Sequence, residues 1–244
     1  MANITDLIAE GKAKRIYATE DPDEAVVYYR DETFAFHGLK RGRIIGKGEI
    51  NNLICEYMFT LLAGKGIPHH FIRRIDNRCS LIKRVEIIPV CVKVRNIVAG
   101  SLSQRIGYPA GTRLNNTVLE YCLKEVELED PLINSTHITA MGLATMEELL
   151  KMKEISLQVN DILIECLKEI QIELIDFKLE FGRFHGEILL ADEVSPDTCR
   201  FWDARTHEPL DIDRFRHDLG DVAEAYQDVL HRLTGYRLKL SEEE

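Results

Sequence analysis

The sequence has no apolar stretch approaching membrane-spanning length, no Cys-x-x-Cys pair and no histidine at zinc-ligand spacing from a cysteine. Without a long apolar run no transmembrane helix is predicted. The segment Met1-Ala2-Asn3-Ile4-Thr5-Asp6-Leu7 lacks the basic region and apolar run of a signal peptide, so the expected location is cytoplasmic. Cationic side chains are also in deficit: 31 Lys and Arg stand against 41 Asp and Glu, a formal charge of −10. That balance excludes a broad basic face for nucleic acid or an anionic membrane, and any phosphate site must be local. Six cysteines (Cys55, Cys79, Cys91, Cys122, Cys166 and Cys199) are scattered along the chain and are expected to be reduced and mostly buried.

What the sequence does contain is ample material for a core. Its 244 residues, 45% of them hydrophobic, fit one large domain or two joined lobes. Short β-forming runs at Arg15 to Ala18 and Ala25 to Tyr29 open the chain. From Glu49 to Leu62, Ile50, Leu53, Ile54, Tyr57, Met58, Leu61 and Leu62 recur at helical steps, and Gly64 and Gly66 close the pattern. Strands are predicted around His70 to Arg74, Ser80 to Val85 and Val90 to Val98. Beyond residue 100 the chain passes through Gly107-Tyr108-Pro109-Ala110-Gly111 and Asn115-Asn116, and its helices lengthen. The longest is predicted to start at Thr145, with Glu148 completing a capping box, and to reach about Ile170. A closing helix is expected from Asp213 to Leu233. The predicted class is α+β: a β-rich lobe over 1–86 and a larger α/β lobe over 87–244, meeting at a cleft.

The densest chemistry lies in Leu174-Ile175-Asp176-Phe177-Lys178-Leu179-Glu180-Phe181-Gly182. Side chains alternate across a strand, so Ile175, Phe177, Leu179 and Phe181 form an apolar face, and Asp176, Lys178 and Glu180 an ionic one. After a turn over Gly182 to Gly186, a returning strand Glu187 to Val194 is expected to place Asp192 beside Ile188, Leu190 and Val194. These acids form either a solvated hairpin paired by Lys178 or a Mg²⁺ site, since that ion takes one or two carboxylates and leaves the rest to water and phosphate. Three further segments stand out. Gly11-Lys12-Ala13-Lys14-Arg15 concentrates cations beside a glycine, although its spacing is not a Walker A loop. Arg95-Asn96-Ile97-Val98-Ala99-Gly100-Ser101 joins a guanidinium fork to a hydroxyl. Asp192 to Asp203 is a loop rich in charge and hydroxyls. Each also reads as an ordinary surface feature in isolation.

Together these segments resemble the SAICAR synthetase family. Leu174 to Gly182, and Ile87-Ile88-Pro89 through Arg95 to Gly100-Ser101, look like its two signature regions, and Gly11-Lys12-Ala13-Lys14 resembles its phosphate loop. Agreement continues through Asp130-Pro131, Ser195-Pro196-Asp197, Trp202-Asp203 and Asp213-Arg214-Phe215-Arg216, covering roughly residues 8 to 235. The resemblance implies a two-lobed fold related to kinase-like and ATP-grasp-like clefts, joining L-aspartate to carboxyaminoimidazole ribotide as ATP becomes ADP and phosphate. It implies ATP phosphates at Lys12, Ala13 and Lys14, nucleotide at Lys83, and Mg²⁺ at Glu180 and Asp192. Arg95, Ser101, Lys178 and Arg200 would grip the ribotide, helped by Asp213 and Arg216, with Asp176 and Asp197 as further active-site carboxylates. A homodimer is also implied. Three positions depart from the family pattern: Cys91 stands where Glu is usual, and Phe34 and His37 interrupt a usual Thr-Ser-Ala run followed by an acid or amide.

Rival readings are a kinase-like phosphotransferase and a nucleotide-binding regulatory module. The kinase pattern His-Arg-Asp followed by Asn is absent, and so is Asp-Phe-Gly.

Overall fold

Short, strongly β-forming segments separated by tight turns assemble the first sheet of the computed structural model, which describes residues 4–11, 13–35 and 39–239. Strands β1 (Ile4–Glu10), β2 (Lys14–Thr19) and β3 (Glu24–Tyr29) form an antiparallel meander, followed by the small hairpin β4 (Glu32–Ala35) and β5 (Lys40–Arg43). Helix α1 (Lys47–Gly64) then crosses, and β6 (Phe71–Arg74) and β7 (Cys79–Lys83) complete a sheet of order β1-β2-β3-β7-β6. Ile50, Ile54, Met58 and Leu62, at four-residue steps, are fully buried on α1. Each such side chain gains about 1.5–3 kcal/mol from leaving water. Left-handed Gly66 (φ 80°) lies just beyond the helix end.

The second sheet begins at β8 (Glu86–Ile97), continues after α2 (Gly100–Ile106) with β9 (Arg113–Leu123) and β10 (Leu132–Ile133), and is covered by α4 (Met146–Glu169), against which α3 (Ser135–Ala140) packs. Strands β11 (Ile172–Phe184), β12 (Glu187–Ala191) and β13 (Cys199–Asp203) complete it, in the order β10-β9-β8-β11-β12 with β13 on β11. Helix α4 starts as its sequence requires: Thr145 Oγ1 accepts from Glu148 N, and Glu148 Oε2 accepts from Thr145 N. Its buried stripe of Leu149, Met152, Ile155, Val159, Leu163 and Leu167 belongs to one core with Phe177, Leu179 and Phe181 of β11 and Val90, Val92 and Val94 of β8. The sheet's apolar face is thereby closed, and its other face is left for polar side chains.

Three expectations are corrected here. The closing helix is two helices, α5 (Asp213–Arg216) and α6 (Val222–Thr234), because Asp218, Gly220 and Asp221 adopt left-handed backbone (φ 53°, 72° and 49°) that an α-helix cannot continue through. The hairpin turn is tighter than Gly182 to Gly186: β11 runs on to Phe184, and only His185 and Gly186 (φ 48° and 83°) turn the chain. Gly182 instead lies within the strand, where a Cβ would strike the Val85 side chain. Finally, β12 ends at Ala191, and Asp192 takes a left-handed conformation (φ 64°). It therefore leaves the strand's alternation rather than sharing a face with Ile188 and Leu190.

Candidate active site

Registers across the central strands build the polar face residue by residue. Asp176 of β11 pairs with Arg95 of β8, Lys178 with Lys93, and Glu180 with Cys91. On the far side of β8, Arg95 pairs with Val118 of β9, Lys93 with Glu120, and Cys91 with Cys122. Directly paired residues share a face, so these rows floor one surface, and β13 adds Arg200 opposite Asp176. Two residues span about 6.6 Å along a strand, which puts Asp176 and Glu180 roughly 13 Å apart with Lys178 midway.

At the Asp176 end, arginines and acids alternate in an unbroken chain. Arg105 donates to Glu120, which also accepts from Arg95 Nε (2.6 Å). Arg95 Nη2 reaches Ser101 Oγ (3.2 Å) and its Nη1 reaches Asp176 Oδ2 (3.3 Å), the same oxygen to which Arg200 donates. Arg200 Nε then donates to Asp213 Oδ2 (2.5 Å), and Arg216 to Asp213 Oδ1 (2.7 Å). Four arginines face three carboxylates, so the chain carries one surplus positive charge that suits an anionic ligand. Burial opposes charge on both Arg200 and Asp213, yet their pairing prevails: the guanidinium is held more firmly protonated and the Asp213 acid is held down. Gly100 (φ 50°) lies where a Cβ would come within 2.8 Å of Arg200 Nη2, so a side chain there would displace the guanidinium. Asp211 positions the far end, accepting from Asp213 N (2.7 Å) and Phe201 N (2.8 Å).

At the Glu180 end the cations are lysines. Glu180 lies between Lys178 (2.8 Å) and Lys124 (2.6 Å). Lys14 donates to Asp192 and lies 2.7 Å from Glu193 Oε1. Burial opposes the charge on Asp192, but Lys14, Lys178 and Lys124 overcome it and hold this acid well below the usual carboxylate range. For Glu193 burial prevails and its acid is pushed up. Ser195 Oγ donates to Glu193 (2.6 Å). Asp197, expected among the active-site carboxylates, accepts from Lys47 Nζ (2.5 Å) and from the Tyr226 hydroxyl (2.6 Å), bridging α1, α6 and the loop after β12.

No group of three or more His, Cys, Asp or Glu among the described residues could hold a metal ion by itself. Glu180 and Asp192 nevertheless fit Mg²⁺. Glu180 pairs with Ala191, so Asp192 is one residue beyond it, and both offer hard oxygen donors that accept from lysines. Two carboxylates suffice when phosphate and water fill the other positions.

The structure thus brings Arg95, Ser101, Asp176, Arg200, Asp213 and Arg216 into one array, and Lys14, Lys178, Glu180 and Asp192 into its neighbour. Lys83 lies apart from these pairs, its ammonium 5.5 Å from the Phe184 ring centre. Ala13 contributes its carbonyl to Arg30 N (2.8 Å). Lys12 and His37 lie outside the described residues, while Phe34 sits in β4 beneath the Arg41 guanidinium. Lys93, Glu120, Lys124, Lys47, Glu193 and Tyr226 join the site without being among the residues the sequence predicts for it. Alternation within Val90-Cys91-Val92-Lys93-Val94-Arg95 does signal Lys93. Lys47 and Tyr226 carry no such local signal, because only the packing of α1 on α6 brings them to Asp197.

The family model described as SAICAR synthetase matches residues 7–233. A phosphoribosylaminoimidazole-succinocarboxamide synthase from Persephonella marina is 54% identical over 224 residues, 92% of this chain and 94% of the relative. The crystal structure of the synthase from Ehrlichia chaffeensis superimposes with a TM-score of 0.93 at 42% identity, covering 96% of this chain and all of that one. A SAICAR synthetase in complex with ADP gives 0.92 at 43%, covering 95% and 99%.

Proposed function

The chain belongs to the SAICAR synthetase family, ligases that join L-aspartate to carboxyaminoimidazole ribotide with ATP in purine biosynthesis, and from that premise we propose how its residues divide the work. ATP phosphates lie against Lys12, Ala13 and Lys14, with Lys83 at the nucleotide. Support comes from the solved relative that holds ADP and from the lysine-rich Glu180 end of the face. Glu180 and Asp192 hold Mg²⁺, which neutralises phosphate charge. The ribotide takes the arginine end: its anionic groups replace carboxylate partners of Arg95, Arg200 and Arg216, with Ser101 and Asp213 fixing its other polar groups.

A carboxylate is a poor acyl donor to an amine, so the ribotide carboxylate first attacks the γ-phosphorus, breaks its bond to the bridging oxygen so that ADP leaves, and becomes an acyl phosphate. Positioning and charge neutralisation help that transfer most. Lys178 stands between the two ends of the face and neutralises the transferring oxygen. The aspartate amine then attacks the acyl carbon and phosphate leaves, while Asp176 or Asp197 takes up the amine proton. The observation carrying this assignment is the row Asp176, Lys178 and Glu180, which joins the arginine chain to the lysine–carboxylate cluster on one strand. The lobes divide at the start of β8, into residues 1–86 and 87–244. Six free cysteines suit a reducing cytoplasm, and a homodimer is the assembly expected of the family.

Purified protein given ATP, Mg²⁺, ribotide and aspartate should release ADP and form the succinocarboxamide, with each omission abolishing the amide. Folded protein that forms no amide from the full mixture contradicts the assignment. Arg95→Lys should raise the ribotide KM by roughly 10- to 100-fold and leave that for ATP unchanged. One ammonium cannot replace bonds to Glu120, Asp176 and Ser101, each charged bond being worth about 1.5–3 kcal/mol. Equal loss of both affinities would reassign Arg95 to a structural role.

A further inference from the structure

Beneath the Glu180 cluster the floor of the site is made of two thiols. Cys91 and Cys122 are directly paired across β8 and β9, and both are buried, at 1% and 0% exposure. Neither is in a disulfide. In the same register Lys124 N donates to Pro89 O at 3.0 Å. Hydrogen-bonded pairs recur every second residue of an antiparallel ladder, so Cys91 and Cys122 also form one, with Cα atoms about 5.5 Å apart. A disulfide spans Cα separations of about 4.4–6.8 Å, most often near 5.5–6 Å.

Their position ties them to the nucleotide end. Cys91 is also paired with Glu180 on its other side, making one row of Glu180, Cys91 and Cys122. Lys124, two residues beyond Cys122 on the same face, closes over that row to reach Glu180, as does Lys178 from β11. This roof is built of side chains: Lys124 and Lys178 are 39% and 33% exposed, so they can swing aside and admit a small reagent.

We propose that Cys91 and Cys122 are a modification site, a cross-strand dithiol that a low-molecular-weight disulfide oxidises reversibly and that lowers affinity for the magnesium–nucleotide complex when bridged. In the first step the Cys122 thiolate attacks one sulfur of the reagent, forming a mixed disulfide and releasing one thiolate. The Cys91 thiolate then attacks Cys122 Sγ and releases the second. The protein loses two protons and two electrons, and the reagent is reduced to two thiols. Bridging ties β8 to β9 under Glu180 and Lys124, altering the floor on which the proposed metal ligand stands. The effect on nucleotide rests on the function proposed above; formation of the bridge does not.

The test is to incubate folded protein with oxidised glutathione, map peptides by mass spectrometry without reduction, and titrate Mg-ADP calorimetrically before and after. A Cys91–Cys122 bridge should form, Mg-ADP should protect against it, and oxidation should weaken Mg-ADP binding roughly tenfold. Dithiothreitol should restore binding. Reduced Cys91→Ser and Cys122→Ser proteins should each still bind Mg-ADP, and that binding should no longer change on treatment with oxidised glutathione. Unbridged thiols, or bridges confined to other cysteines, would overturn the dithiol site. A Cys91–Cys122 bridge that leaves Mg-ADP binding unchanged would overturn its coupling to nucleotide while leaving the assigned reaction to its own assay.

Discussion

Lys14→Met is expected to lower kcat/KM by at least about 100-fold and to cost roughly 3–5 kcal/mol of stability, the usual penalty for removing one partner of a buried ion pair. Lys14 pairs with both Asp192 and Glu193, and Glu193 is only 3% exposed. Without the ammonium, two neighbouring carboxylates repel each other in a poorly solvated place. Burial already pushes the Glu193 acid up, so it should bind a proton in the variant. A raised folded-state pKa means stability present below the unfolded value and lost as pH rises. The variant's deficit should therefore be smaller at about pH 5 than at about pH 8. Urea unfolding at both pH values measures this. Adding Asp192→Asn should recover part of the stability and none of the turnover, which separates the structural pairing from the proposed phosphate contact. Full turnover in the folded Lys14→Met protein would remove Lys14 from the phosphate site.

Glu180→Gln and Asp192→Asn should each raise the Mg²⁺ concentration for half-maximal turnover by roughly 10- to 100-fold or more, since changes merely behind a metal ligand already cost that much. The two residues differ in what they leave behind. Loss of the Glu180 charge frees Lys178 and Lys124, each a third or more exposed, so stability should move by no more than about 1 kcal/mol. Loss of the Asp192 charge leaves Lys14 still paired with Glu193. Both variants should therefore fold, and titrating Mg²⁺ at fixed ATP reads the metal directly. If the acids serve only to pair lysines, stability will shift while the Mg²⁺ dependence stays put.

The sequence exposed the site's central strand because alternation is a local signal. Asp176, Lys178 and Glu180 could be assigned to one face from the chain alone, and the Thr145–Glu148 cap of α4 was equally readable. What escaped was set by contacts distant in sequence. Alternation puts Asp192 on an apolar strand face because nothing local marks its left-handed backbone. Its partner Lys14 lies 178 residues away and Lys47 lies 150 residues from Asp197, so neither pairing has a periodicity to betray it. The break between α5 and α6 was written in Asp218, Gly220 and Asp221, yet helical spacing on either side masked it. Resemblance to a family supplied roles for residues, and the register of β8, β9 and β11 supplied the reason they meet.

The central claim is that one polar sheet face lets ATP activate the ribotide's own carboxylate. Ribotide labelled with ¹⁸O in that carboxylate tests it most directly. Attack on the γ-phosphorus makes a carboxylate oxygen the bridge, and departure of phosphate on amide formation carries that oxygen away. Mass spectrometry of the phosphate released in a single turnover should find one ¹⁸O derived from the carboxylate. Amide formed with phosphate free of the label would contradict the account.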